Sequence, residues 1–175
     1  MQAQVFWIPG PWQGRLGIVP RPRGGDWLGD ETRAWRSAGI EVVVSLLEPA
    51  EEADLALGDE AAASAASGVK FVSHPIPDRG VPSSRESVAR LAGDLAAALT
   101  AGTSVAIHCR QSIGRSALIA AAVLMAGGQD PDTAVEDIAR SRGLKVPETA
   151  EQRRLIKDFA SFLTQVAPAR STPHA

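Results

Sequence analysis

The chain has 175 residues, 45% of them hydrophobic and 22% charged, with 18 Lys and Arg against 20 Asp and Glu. That length suits one domain with a sizeable core, and the apolar content excludes global disorder. The near balance of charge offers no excess to draw nucleic acid or an anionic membrane surface, and the longest apolar run, residues 117–126, is about half the ~20 residues that cross a bilayer. Residues 1–14 carry no basic start, long apolar stretch or small-residue cleavage site, so they do not read as a secretory signal. One cysteine, Cys109, gives no intrachain disulfide and no multi-cysteine zinc site, and His74, His108 and His174 lack metal-ligand spacing. The expectation is a cytoplasmic protein with a free thiol, without metal or cofactor.

Short apolar runs rich in β-branched residues predict strands at 4–8, 16–19, 41–47, 69–74 and 104–108. The runs around Val42 and Val105 are nearly continuous, as in strands covered on both faces. Helical patterns lie between and after them. Residues 26–38 place Trp27, Leu28, Thr32 and Trp35 at near-helical spacing, and the Ala-rich stretch 59–68 predicts a short helix. Residues 84–101 carry Val88, Leu91, Leu95 and Leu99 on one face, with Ser84 as N-cap. Residues 115–126 are apolar nearly all round, which marks a buried helix, and Gly127 and Gly128 stop it. Asp130 and Pro131 read as N-cap and first residue of a helix over 131–142. A last helix over 148–166 carries Leu155, Ile156, Phe159, Phe162 and Leu163. The four Trp residues, at 7, 12, 27 and 35, read as packing residues, and the basic stretch 21–25 as a solvated loop. The pattern predicts an α/β three-layer sandwich, a mostly parallel central sheet flanked by helices. It forms one domain over residues 1–166, followed by a frayed tail over 167–175.

The chemistry concentrates in SVAIHCRQSIGRSALIAAAVLMAGG, residues 104–128. A buried strand ends at His108, a loop runs from Cys109 to Gly114, and a buried helix begins at Arg115. Strand, tight loop and helix N-terminus aim successive backbone N–H groups, here of Arg110, Gln111, Ser112, Ile113 and Gly114, at an anion. Arg115, six residues after Cys109, can return to the same anion and grip two of its oxygens in a planar fork. The same field favours the thiolate of a cysteine at the mouth of the cradle. Upstream by 31 positions lies HPIPDRGVPSS, residues 74–84, a proline-bracketed loop at the end of a strand. Strand ends of a parallel sheet lie side by side, so Asp78 overhangs the Cys109 loop, where a carboxyl group can protonate a leaving oxygen. Taken one at a time, Cys109 also fits a small buried hydrophobe and Asp78 a turn residue.

HCRQSIGRS, residues 108–116, resembles the C-x5-R-S/T phosphate loop of the cysteine-dependent protein tyrosine phosphatase superfamily. PDRGVP, residues 77–82, resembles the mobile acid loop of the same superfamily, with Ile76 where tyrosine-specific members usually carry Trp. Compact size and the acid-to-cysteine spacing are most similar to the dual-specificity branch, including small cyclin-dependent-kinase-inhibitor-associated and bacterial forms. The resemblance covers residues 41–166. It implies a phosphoprotein or phosphopeptide substrate and a two-step reaction without metal. Cys109 would attack phosphorus, Arg115 and the loop amides would hold the phosphoryl group, and Asp78 would serve first as acid and then as base. Ser116 would hydrogen-bond the Cys109 sulfur, and His108 would orient the loop and help keep the cysteine ionised. Two positions depart from the pattern. Ser112 stands where Gly is usual, reshaping the cradle or presenting its hydroxyl to it. Glu148 stands where tyrosine-specific members place a water-positioning Gln, leaving Asp78 as the main candidate for the second step, while Gln152 matches a second Gln; by itself Glu148 reads as a first-turn helix carboxylate. The alternatives are a phosphate-binding pseudophosphatase or interaction module, a phosphatase of phosphoinositides or nucleotides, sulfur transfer, which has no use for Asp78, and arsenate reduction, which needs further thiols.

Overall fold

The computed structural model describes residues 2–166; the tail expected over 167–175 lies outside them. Five apolar runs become strands: β1 (Phe6–Ile8), β2 (Leu16–Ile18), β3 (Val42–Ser45), β4 (Lys70–Ser73) and β5 (Val105–His108). They form one sheet in the order β1-β2-β5-β3-β4. The pairs β2–β5, β5–β3 and β3–β4 are parallel, and β1 runs antiparallel along the edge beside β2. β3 and β5 are buried at every position, which is why their sequences show no polar alternation.

A 3₁₀ turn (Gly25–Trp27) leads into α1 (Leu28–Ser37); α2 (Pro49–Asp54), α3 (Glu60–Ala66), α4 (Arg85–Thr100), α5 (Gly114–Ala126), α6 (Pro131–Arg142) and α7 (Ala150–Val166) follow. The two-residue period of the strands divides the core. Val42, Val44, Val105 and Ile107 pack with Leu91 and Leu95 of α4, Leu118 of α5, Ile138 of α6 and Phe159 of α7. Val43 and Ala106 face the other way, onto Trp35 of α1, Ile40 and Val69. α5 is buried from Gly114 to Met125, as its all-round apolar sequence predicted, because it meets the sheet and α4, α6 and α7. The predicted caps are formed: Ser84 Oγ accepts from Ser87 N at 3.1 Å, and Asp130 Oδ1 accepts from Thr133 N at 3.0 Å.

Three features differ from the sequence reading. α2 has no apolar period to announce it; a capping box starts it, in which Glu48 accepts from the Glu51 amide and Glu51 accepts from the Glu48 amide at 3.0 Å. α7 begins at Ala150, two residues later than predicted, because Thr149 and Gln152 form another capping box. Thr149 Oγ1 accepts from Gln152 N at 3.1 Å and Gln152 Oε1 accepts from Thr149 N at 3.2 Å. Trp27 is 53% exposed beneath the Arg23 guanidinium, whereas Trp35 is buried. Among the described residues no helix is long and apolar enough to cross a membrane.

Candidate functional site

The carboxyl ends of β3, β4 and β5 lie side by side and feed α2, the loop around Asp78 and the loop from Cys109 to Gly114. Continuing the strand alternation, Cys109 turns to the α5 side with Val105 and Ile107 and is 2% exposed. The chain then folds back so that the Ser112 amide donates to Cys109 Sγ at 3.2 Å. This fold-back puts Ser112 in the left-handed region, φ +54°, a conformation that costs a residue with a Cβ roughly 1–2 kcal/mol. Its hydroxyl donates to the Val19 carbonyl at 2.6 Å, and its own carbonyl accepts from Arg142 Nε at 3.0 Å. The hydroxyl therefore pins the loop to the segment after β2 and does not enter the cradle.

Arg115, in the first turn of α5, is 2% exposed. Its Nη1 donates to the carbonyls of Leu46 (3.3 Å) and Ile76 (2.9 Å), just past β3 and β4, and to Glu51 Oε2 at 2.6 Å. Nη2 donates to Glu51 Oε1 and Asp78 Oδ1, both at 2.9 Å. The Glu51 pair is bidentate and fixes the plane of the guanidinium. Burial pushes the Glu51 carboxyl up, but hydrogen bonds from Arg115 and the Glu48 amide, with the charges of Arg115 and Arg110, outweigh it and hold the group below its ordinary value. Burial lowers Arg115, and the bonds and charges of Glu51, Cys109 and Asp78 more than restore it.

Asp78 sits in a turn closed by Gly80 N donating to Pro77 O at 2.8 Å, with Arg79 at φ +57°. Neighbours hold the turn down. The Asp78 amide donates to Glu48 Oε2 at 3.3 Å, Gln152 Nε2 donates to Gly80 O at 3.0 Å, and Arg79 Nε lies 3.5 Å from Glu148 Oε1. Gln152 also abuts the cysteine loop: a Cβ on Gly114 would lie 2.7 Å from its Oε1.

Six of the predicted residues, Asp78, Cys109, Arg110, Gln111, Gly114 and Arg115, line one cleft of about 270 Å³, with Arg79 and Glu148 completing its wall. Four others are placed elsewhere. Ser112 turns inward as described, and Ile113, at the N-cap of α5, packs its side chain against the core. The bond expected from Ser116 to the Cys109 sulfur is not formed; Ser116 Oγ is buried with no hydrogen-bond partner among the described residues. His108 lies on the opposite face of β5 from Cys109, as strand alternation requires. Its Nε2 meets Glu60 Oε1 at 2.7 Å, and its ring lies 5.9 Å from that of Trp35. The strand end is tied instead through its backbone, where His108 O accepts from Leu46 N at 3.1 Å. The sequence reading missed Glu51 and Glu60. The E-P-A-E capping signature at 48–51 announces a helix start, but nothing in it names Arg115 as the partner.

Residues 19–129 match the family model described as "Polymorphic toxin system, DSP-PTPase phosphatase". The chain belongs to this family. The matched span holds both the Asp78 and the Cys109 loops, while Glu148 and Gln152 lie beyond it. Cyclin-dependent kinase inhibitor 3 of Rattus norvegicus is 29% identical over 107 residues, 60% of this chain and 50% of the rat protein. The chain thus spans half the length of the curated relative it matches. Among solved structures, kinase associated phosphatase with its catalytic-site cysteine replaced by serine has a TM-score of 0.82 at 20% identity, covering 94% of this chain and 97% of that one. Tk-PTP in its active form has a TM-score of 0.74 at 26% identity, covering 92% and 99%. The fold is that of the DSP-PTPase phosphatases, the dual-specificity-like branch that the two loops resemble.

Proposed function

We propose that this DSP-PTPase domain hydrolyses phosphate monoesters, of phosphotyrosine and of phosphoserine or phosphothreonine in proteins or peptides, through a cysteinyl-phosphate intermediate. The observation that carries the reading is the shared cleft, in which the only thiol lies with a buried guanidinium and an acidic turn. Cys109 attacks phosphorus as the thiolate, and the P–O bond to the leaving group breaks as the S–P bond forms. Arg115 is aimed by Glu51, and its Nη2, which donates to Asp78 Oδ1, turns to the phosphoryl oxygens together with the amides of the Cys109 loop. Asp78, displaced from Arg115 by the dianion, delivers a proton to the departing alkoxide or phenoxide. Water then splits the S–P bond and returns the thiolate.

Hydrolysis of p-nitrophenyl phosphate and of a phosphopeptide panel tests the reading. Cys109→Ser abolishes turnover. Asp78→Asn lowers it by about 10²–10⁴, the range of a general acid, and most for poor leaving groups. Undiminished turnover by Cys109→Ser would overturn the proposal, and binding of phosphopeptide without hydrolysis by the unaltered protein would favour an interaction module.

A further inference from the structure

Two carboxylates, not one, share the cleft with Cys109: Asp78 and Glu148. Their settings differ. Asp78 is held on the Arg115 guanidinium at 2.9 Å, and its side chain is 52% exposed. Glu148 lines the same cleft from the segment directly before the capping box of α7. Gln152 of that box is fully buried, bonded to Gly80 O, and in the space where Gly114 leaves no Cβ. The backbone at Glu148 is thereby fixed against both loops. Its partner is Arg79, at 3.5 Å, longer than a hydrogen bond, and the Glu148 side chain is 33% exposed.

The two steps of the reaction ask opposite things of a carboxyl group. The first needs a protonated one at the leaving oxygen, and the second needs an ionised one beside the attacking water. A carboxylate that lines the same cleft, paired with Arg79 rather than Arg115, can take the water's proton. Building on the phosphatase reading, we infer that Glu148 is a second catalytic carboxylate, the base for the water that hydrolyses the cysteinyl phosphate. The water oxygen bonds to phosphorus as the S–P bond breaks, and that electron pair returns to Cys109 as thiolate. The water proton passes to a Glu148 oxygen and then to solvent, leaving inorganic phosphate on Arg115 and the loop amides. Asp78 remains the acid of the first step.

Rapid-quench kinetics with p-nitrophenyl phosphate separate the two roles. In Glu148→Ala and Glu148→Gln the first release of p-nitrophenolate falls far less than steady turnover, and its full burst amplitude reports an intact fold. Labelled phosphoenzyme then accumulates, and steady turnover falls by about 10², the low end for loss of a general base. Asp78→Asn slows the first release itself. Wild-type turnover without phosphoenzyme accumulation in Glu148→Ala would overturn the inference while leaving the phosphatase reading standing. So would wild-type turnover in Glu148→Gln, because an amide can hold water but cannot take its proton. If the unaltered protein released no p-nitrophenolate, the phosphatase reading would fail and this inference with it.

Discussion

The two sides of the cleft are built on different principles. The Cys109 side is a continuous piece of chain, β5, loop and α5, in which the nucleophile, the amides and Arg115 are set by local geometry and by burial of α5 on every face. The Asp78 side is a short exposed turn, closed by its own Gly80–Pro77 bond and held down by groups arriving from elsewhere: Glu48 before α2, Arg115 from α5, and Gln152 at the start of α7. The rigid side carries the charge, and the assembled side carries the proton. Of these three tethers Arg115 alone also belongs to the anion cradle.

Arg115 joins the two sides and Glu51 fixes its plane, so loss of Glu51 is the largest expected effect on the comparison. Replacing it by Gln removes the charge that pairs the buried Arg115 guanidinium, which costs about 3 kcal/mol of stability. Misdirecting the guanidinium lowers kcat/KM by about 10². The pH dependence has a definite sign. The Glu51 carboxyl is held below its ordinary value, so its contribution to stability is complete above the unfolded value, about 4.3, and is lost as pH falls through the depressed folded value. Thermal unfolding of wild type and Glu51→Gln should therefore differ most near neutral pH and converge in acid; a gap constant with pH would break the assignment.

A smaller effect separates the two sides. Gln152→Ala removes the bonds with Gly80 O and the Thr149 amide and empties the space against Gly114, but takes no hydrogen bond from the cysteine loop. The expected result is a loss of about tenfold in kcat, short of the 10² that a ~1 Å misplacement can cost, with unchanged alkylation of Cys109 by iodoacetate. Slower alkylation would mean that the cradle depends on the turn after all. The smallest effect concerns the cradle itself. Ser112→Ala keeps φ +54° but loses the bond to Val19 O, costing about 1–2 kcal/mol in urea unfolding. Ser112→Gly loses the same bond but relieves the backbone and should stay near wild type. Equal losses in the two variants would show that backbone strain plays no part there.

Sequence alone determined the five strands of a mostly parallel sheet, α4, α5 and α6, and the placing of Asp78, Cys109 and Arg115 at the carboxyl edge of that sheet. Period, capping residues and strand–loop–helix order are local signals, and parallel strands bring their carboxyl ends together without further instruction. Alternation along β5 also contained the answer for His108, since a residue next to Cys109 in an extended strand must face the other way. What only the tertiary structure decided is which side chains meet. Glu51 reaches Arg115 across 64 positions, Glu60 reaches His108 across 48, and Gln152 reaches Gly80 across 72. No periodicity encodes such pairings. They arise because burying a guanidinium or an imidazole leaves donors that must find acceptors, and the acceptors available are whatever the folded chain has carried to the same place.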